Sequence, residues 1–272
     1  MRLPDSSFSV SDPNNWHYAD VPQLARALEE HLKYRTLLMQ HGVNIELHDS
    51  PLPGKADSIF VCDPVLMTKE GAIVLNMSKP QRKGEEGALA DRLCGLGIPV
   101  YGRLNGHEHA EGGDLLWLDN KTLAVGCGFR TNRAGYQALQ RLLEPLEVTL
   151  IPVHLPYSKG PLSCLHLGSV MSVIRRDLLL AYLPLLPVSF WNQLKSKGMR
   201  FISVDKQEFE TAGANVLALS HQKCIAVEGN EKTRLKLHDE GIEVLTFKAE
   251  EICIKTEGGP TCLVNVIARG GE

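Results

Sequence analysis

The chain has 272 residues, 43% hydrophobic and 22% charged, with a formal net charge of -3. This composition supports a large globular core and offers no basic field for a phosphate backbone, so nucleic acid is not an expected partner. The opening MRLPDSSFSVSDPNNW lacks the charged-then-apolar pattern of an export signal, and the strongest apolar stretch, DLLLAYLPLLPVSFW, is short and broken by Pro184 and Pro187, which argues against a membrane span.

In chain order, QLARALEEHLKYRTLLMQHG carries apolar residues at helical spacing and stops at Gly42, after which VNIELH alternates as a strand does. SIFVCDPVLMT and GAIVLNM then read as strands, GEEGALADRLCGLG as a helix and IPVYGRL as a strand. The order recurs in DLLWLD, TLAVGCG, RAGYQALQRLLEPL and EVTLIPV. A third pass runs through CLHLGSVMSVI, LLLAYL, FWNQLKSKG and RFISV, and a fourth through NVLALS, CIAVEG, NEKTRLKLHDEG and IEVLTF. The repeat of strand, strand, helix, strand has a period of roughly 45 residues, which points to a repeat array or a propeller-like ring. The leftover N-terminal helix and strand, joined to a C-terminal strand starting at Cys262, would make a fifth unit and seal the open edges. No Pro/Ser-rich linker interrupts the chain, so residues 1–272 are read as a single α/β domain.

Seven cysteines, an odd number with no C-x-x-C pair, suit reduced thiols in a cytoplasmic protein. One of them follows a glycine-rich turn in GGPTCLV, and ADSIFVCDP, EHAEGGDLL and CLHLGSV likewise set polar residues at the start of a unit's first strand. Equivalent units would turn Asp63, Glu111, His166 and Cys262 toward one axial pocket. Carboxylates beside a thiol suit a cationic substrate. Cys262 would act as the thiolate and His166 would carry protons. The plainer alternative is that Cys262 and His166 are separately packed residues.

The paired glycines after Glu111 mark a bulge or a close backbone approach. Asp114 could orient the histidine or hold a ligand nitrogen, or EGGD could be a solvated turn. Asp57 and Asp63, six residues apart, would share a face if their segment were extended. Asp63 before Pro64 could also be a turn former. Arg82 in QRKGEE and Arg130 in GFRTNR each stand by a turn and could pair with a carboxylate. GCGFRTN is no dinucleotide fingerprint, because Thr131 takes the last glycine position. His107, His109 and Glu111 alternate in NGHEHAEGGD and could meet a metal, but no second cluster supplies further ligands, so none is expected.

Taken together, DSIFVCDPVL, RKGE, EGGD, RTN, LHLGS, Ala214-Asn215 and GGPTCL resemble, in order and spacing, the dimethylarginine dimethylaminohydrolase branch of the guanidino-modifying enzymes, a group that also holds arginine deiminases and amidinotransferases. The resemblance runs from about Val21 to Ile267. It implies a five-bladed α/β propeller, or pentein, and hydrolysis of Nω-methylated arginine to citrulline and a methylamine through an S-alkylthiouronium on Cys262. By the same resemblance His166 shuttles protons, Glu111 and Asp63 clamp the guanidinium, and Arg82 and Arg130 bind the α-carboxylate. Asp57, Phe60 and Asp114 match pocket positions, and residues near Trp16 and His17 match a lid. No cofactor is implied, and the partner is a small guanidino substrate, with a homodimer left open.

Two departures bear on the substrate. Gly168 stands where deiminases and amidinotransferases carry an acid, which leaves room for a methylated guanidinium, and Cys62 replaces a carboxylate common before the aspartate. An arginine hydrolase, another guanidino-compound hydrolase or a non-catalytic arginine-binding protein are the alternatives.

Overall fold

The computed structural model describes residues 1–269 except Ser11, Leu162 and Cys164. Helix α1 spans Leu24–Gln40. The first unit follows as β1 (Val65–Thr68), β2 (Gly71–Val74), α2 (Glu85–Gly95) and β3 (Val100–Arg103), and the second as β4 (Leu115–Asp119), β5 (Thr122–Cys127), α3 (Arg133–Leu143) and β6 (Thr149–His154). The third opens with the single turn α4 (Leu167–Val170) and continues as β7 (Met171–Arg175), β8 (Leu178–Ala181), α5 (Val188–Ser196) and β9 (Arg200–Ser203). The fourth has the short α6 (Lys206–Phe209), then β10 (Leu217–Ser220), β11 (Lys223–Val227), α7 (Glu231–Asp239) and β12 (Glu243–Phe247).

Each unit is a three-stranded sheet whose middle strand pairs antiparallel with the first and parallel with the third. A tight turn can make the antiparallel link; the parallel link needs a crossover, and the helix supplies it. Because the middle strand is covered on both faces, its sequence is a continuous apolar run rather than an alternation. The two faces serve different cores. In β5, Leu123 and Val125 pack with Leu66, Ile73 and Leu75 of the first unit, while Ala124 packs with Leu167, Met171 and Leu179 of the third. In β8, Leu178 and Leu180 face the fourth unit beside Cys224 and Ala226, and Leu179 faces the second.

The ends of the chain close this series. Ile225, Val227 and Phe247 of the fourth unit share a core with Ala27, Tyr34 and Leu38 of α1, with Ile59 and Phe60, and with Leu263. Ile267 in turn packs with Val65, Ala72 and Leu89 of the first unit. Polar contacts fix the same junction: Tyr34 Oη donates to the Pro260 carbonyl at 2.9 Å, Glu30 accepts the Glu251 and Ile252 N–H groups, and Asn265 Nδ2 donates to the Val61 and Val65 carbonyls.

The fifth unit is therefore a helix and two packed end segments, not a sheet. VNIELH forms no strand: Val43 N–H returns to the end of α1, and His48 N–H bonds the Met1 carbonyl. No strand starts at Cys262 either, where the backbone turns and Cys262 N–H donates to the Gly259 carbonyl. Two expected strands are shorter than predicted. SIFVCDPVLMT is extended only over Val65–Thr68, after a 3-10 turn at Ala56–Ile59, so Asp57 and Asp63 do not share the face of one strand. CLHLGSVMSVI begins at Cys164, outside the described residues, and forms a helical turn before β7.

His31, on the inner face of α1, is completely buried. Burial, with nearby positive charge that includes Arg35, pushes its imidazole down to about 4 from 6.5. Native His31 is thus neutral where an unfolded chain would already take up a proton, so its contribution is complete above about pH 6.5 and is lost as pH falls toward 4. The difference corresponds to roughly 3 kcal/mol. Urea unfolding at pH 7 and pH 4.5 is expected to show this loss, and His31→Leu to have a shallower acid limb.

Candidate active site

The acidic residues, the imidazole and the aromatic singled out from the sequence lie just ahead of the first strand of a unit, whereas Arg82 and Arg130 lie between the second strand and the helix. Asp57, Phe60 and Asp63 precede β1, Glu111 and Asp114 precede β4, and His166 caps α4 before β7. Cys262 holds the corresponding place in the fifth unit. Asp57, Phe60, Asp63, Arg82, Glu111, Arg130, His166 and Cys262 all line one small cavity, closed over by Trp16 and His17. A wider, shallow groove near Asp5–Ser9 and Pro51–Gly54 has no cysteine or histidine among the described residues of its lining.

Asp63 is the hub. Its Oδ1 accepts the Gly113 N–H at 2.9 Å and the Cys62 thiol at 3.3 Å, and its Oδ2 pairs with Arg82 Nη1 at 2.6 Å. Arg82 is buried and further spent on Glu85, through Nε and Nη2, and on the Asp57 and Phe60 carbonyls. Burial works against its charge, but Glu85, Asp63 and Asp57 hold it well above its usual value. Burial also pushes Glu85 up to about 7 despite Arg82, since Asp57 and Asp63 crowd the same cation.

Glu111 Oε1 accepts the Ser78 N–H and hydroxyl, leaving Oε2 paired with His166 Nε2 across 3.0 Å. Burial alone would raise this carboxyl; the His166 contact, with Arg82 and Arg130, instead holds it well below the usual range. The glycines of EGGD are required by close approach: a Cβ on Gly112 would stand 2.0 Å from the Cys62 carbonyl oxygen, and one on Gly113 2.4 Å from His166 Nδ1. Asp114 does not line the cavity. It is fully buried behind it, pushed up to about 6 by burial, with Oδ1 accepting the Leu167 N–H at 3.0 Å, so it shapes the loop that carries His166.

Cys262 is held by Asn215, a residue for which no role was expected from the sequence. Asn215 Oδ1 accepts the Thr261 N–H and hydroxyl, and its Nδ2 donates to the Gly168 carbonyl at 3.1 Å and lies 3.7 Å from Cys262 Sγ. A Cβ on Gly259 would stand 2.3 Å from Asn215, which explains that glycine. The Ala214-Asn215 pair was the available signal. The neighbouring Cys62 side chain lowers the Cys262 thiol, opposed by burial and Asp63 and helped by the His166 charge and the backbone at Gly259. The sulfur is thus a thiolate-forming group beside an imidazole and two carboxylates, an arrangement able to attack an electrophilic carbon that carries positive charge.

At the outer end, Asp57 accepts the Tyr18 hydroxyl at 2.8 Å and Lys79 Nζ at 2.6 Å. Lys79 also donates to the Trp16 carbonyl and sits 5.1 Å over the Trp16 ring, tying the covering segment down. Arg130 presents a buried Nε with no hydrogen-bond partner among the described residues. Gly168 is not part of the cavity lining, and a Cβ there would meet the Gly113 carbonyl oxygen at 3.0 Å, so close backbone packing is one reason for this glycine. Among the described residues, the donor group compact enough for a metal is Asp63, Glu111 and His166, each already hydrogen-bonded or ion-paired within the protein; His107 and His109 do not join it.

The family model described as N,N dimethylarginine dimethylhydrolase, eukaryotic, matches residues 13–269. The dimethylarginine dimethylaminohydrolase of Streptomyces coelicolor is 31% identical over 242 residues, covering 87% of this chain and 84% of that protein. An arginine deiminase of Mycobacterium avium is 30% identical over 267 residues, covering 86% of this chain and 64% of the deiminase. Among solved structures, a cysteine-to-serine mutant of dimethylarginine dimethylaminohydrolase from Pseudomonas aeruginosa, complexed with citrulline, matches with a TM-score of 0.78 at 25% identity over 96% of this chain and 95% of that one. The chain belongs to the dimethylarginine dimethylaminohydrolase family, α/β propeller hydrolases that act on the C–N bonds of linear amidines.

Proposed function

We propose that this protein hydrolyses Nω-methylated arginine to citrulline and a methylamine, with Cys262 as covalent nucleophile. The observation that carries the reading is the meeting of Cys262, His166, Glu111 and Asp63 in one closed cavity. Asp63 and Glu111 accept the guanidinium N–H groups with their remaining lone pairs. The Cys262 thiolate adds to the guanidinium carbon, and His166 delivers a proton to the departing methylamine, leaving an S-alkylthiouronium. Water, deprotonated by His166, then adds to that carbon, and expulsion of the thiolate releases the ureido product. Two lower barriers replace one high one.

The outer residues divide the remaining work. Arg130, with its free Nε, takes the α-carboxylate. Arg82 was expected to share that task, but nearly all its N–H groups are committed inside the protein, so we assign it to holding Asp63 in place. Phe60 packs closely against Gly258, walling the aliphatic chain, and Asp57 with Lys79 anchors the Trp16–His17 cover. A reducing cytoplasm suits the free thiols.

Arginine is the rival substrate, favoured by the deiminase relative. Parallel assays of ureido product from Nω,Nω-dimethylarginine and arginine separate the two; a kcat/KM at least about tenfold higher for the dimethylated substrate is expected, and the reverse order replaces it by the arginine hydrolase. No turnover of any guanidine would favour a binding protein instead.

Brief incubation with dimethylarginine and acid quenching is expected to add mass to the Cys262 peptide. Cys262→Ser is expected to lower kcat by at least about 10³-fold while still binding substrate, and His166→Ala by about 10²–10⁴-fold. Gly113→Ala tests the geometry, since the new Cβ displaces the imidazole. A loss of about 10²-fold in kcat with little change in melting temperature is expected, and unchanged kcat would remove His166 from the reaction.

A further inference from the structure

We propose that Cys62 and Cys262 are a redox pair, joined by peroxide into an intramolecular disulfide that blocks the site and is reopened by a dithiol. The inference rests on the reading of Cys262 as the reactive thiolate and adds a second chemistry to it.

The backbone brings the two together across the closure of the ring. Cys62 N–H points at the Cys262 carbonyl oxygen at 3.4 Å. That contact sets the two segments at about the spacing of neighbouring strands, roughly 5 Å, within the span of about 4.4–6.8 Å between Cα atoms that a disulfide bridges. The sulfurs influence each other as well, Cys62 lowering the Cys262 thiol and Cys262 raising that of Cys62, whose own proton goes to Asp63 Oδ1 at 3.3 Å. Cys262 lines the cavity, so a small oxidant that enters meets it first. A serine at position 62 could make the same hydrogen bond; what sulfur adds is the capacity to form a covalent bond with its neighbour.

The other described thiols are poorer partners. Cys127 and Cys224 belong to the cores of other units, and Cys253, although close enough for its thiol to feel Cys262, is completely buried in the core of the chain ends. Cys94 is exposed on α2, away from the cavity lining.

The chemistry balances without any group the protein must borrow except the oxidant and reductant named. The Cys262 thiolate attacks one oxygen of hydrogen peroxide, the O–O bond breaks, hydroxide leaves and takes a proton to become water, and Cys262 becomes a sulfenic acid. Cys62 passes its proton to Asp63 Oδ1, 3.3 Å away, and attacks the sulfenic sulfur. The S–O bond breaks, and the second hydroxide leaves as water with that proton. In sum, two thiols and one peroxide give one disulfide and two waters. A dithiol reverses it by exchange, attack falling on either sulfur.

The test uses the full chain and reads mass, so it needs no turnover and stands or falls separately from the substrate assignment. The protein is treated with a small excess of hydrogen peroxide, its remaining thiols are blocked by alkylation, and it is digested without reductant. The expected product is a Cys62–Cys262 cross-linked peptide, about 2 Da lighter than the two free peptides, with two fewer titratable thiols per chain and full recovery after dithiothreitol. Cys62→Ser, checked for native melting temperature, is expected instead to leave Cys262 as a sulfenic acid trapped by dimedone and then as a sulfinic acid that dithiothreitol does not reverse. The proposal is overturned if the wild-type protein gives sulfinic Cys262 with Cys62 still free, if Cys262 links to another cysteine, or if peroxide leaves Cys262 unmodified.

Discussion

The site depends on the Asp63 carboxylate. It takes Arg82 on one oxygen and the Gly113 N–H and the adjacent Cys62 thiol on the other, so two distant stretches of chain are held to one buried carboxylate. Arg82 neutralises that anion at the cost of its own freedom, and Glu85 completes the pair from the first turn of α2. A buried charge stands only when paired and hydrogen-bonded, and removing one member of such a set leaves the others exposed to the full desolvation penalty. The negative charge next to Cys262 is therefore a property of the scaffold, present before any cation enters.

The second requirement is the junction of the chain ends. Cys262 comes late in the sequence and Asp63 early; nothing local relates them. They meet because each unit shares one face of its sheet with the unit before and the other with the unit after, and the last such core is built from both termini. That core has no ladder of its own in the fifth unit and relies on burial, on the stacking of Tyr34 against Phe247 at 4.4 Å, and on side-chain bonds such as Tyr34 to Pro260. Asn215 transmits the fourth unit's position to the Thr261–Cys262 turn. Cys262 is placed by packing between units, and the proximity of Cys62 to Cys262 follows from the same closure.

The repeat was legible because its signals are local. The continuous apolar runs of β2, β5, β8 and β11 and the helical spacing of α1 and α3 follow from burial on two faces or on one. The failures share a cause. VNIELH alternates like a strand, yet its backbone groups find Met1 and the end of α1 first, and at Cys262 the N–H is taken by the Gly259 carbonyl in a turn where Gly258 and Gly259 let Phe60 and Asn215 approach. The approach of the Gly113 carbonyl to Gly168 is a contact between units with no trace in local sequence.

By itself the sequence determined the four recurring units, the chemical types gathered at their leading ends, and, through the order of its short motifs, the family. Which of those side chains are free to act was decided only in three dimensions. Arg82 and Arg130 look alike beside their turns, but one is enclosed by two carboxylates and two carbonyls while the other keeps an unpaired Nε. Asp114 and Glu111 stand three residues apart, but one supports a loop and the other meets the imidazole. A residue type sets what a group can donate, accept or attack; whether it still has a lone pair or a proton to offer depends on neighbours brought from distant parts of the chain.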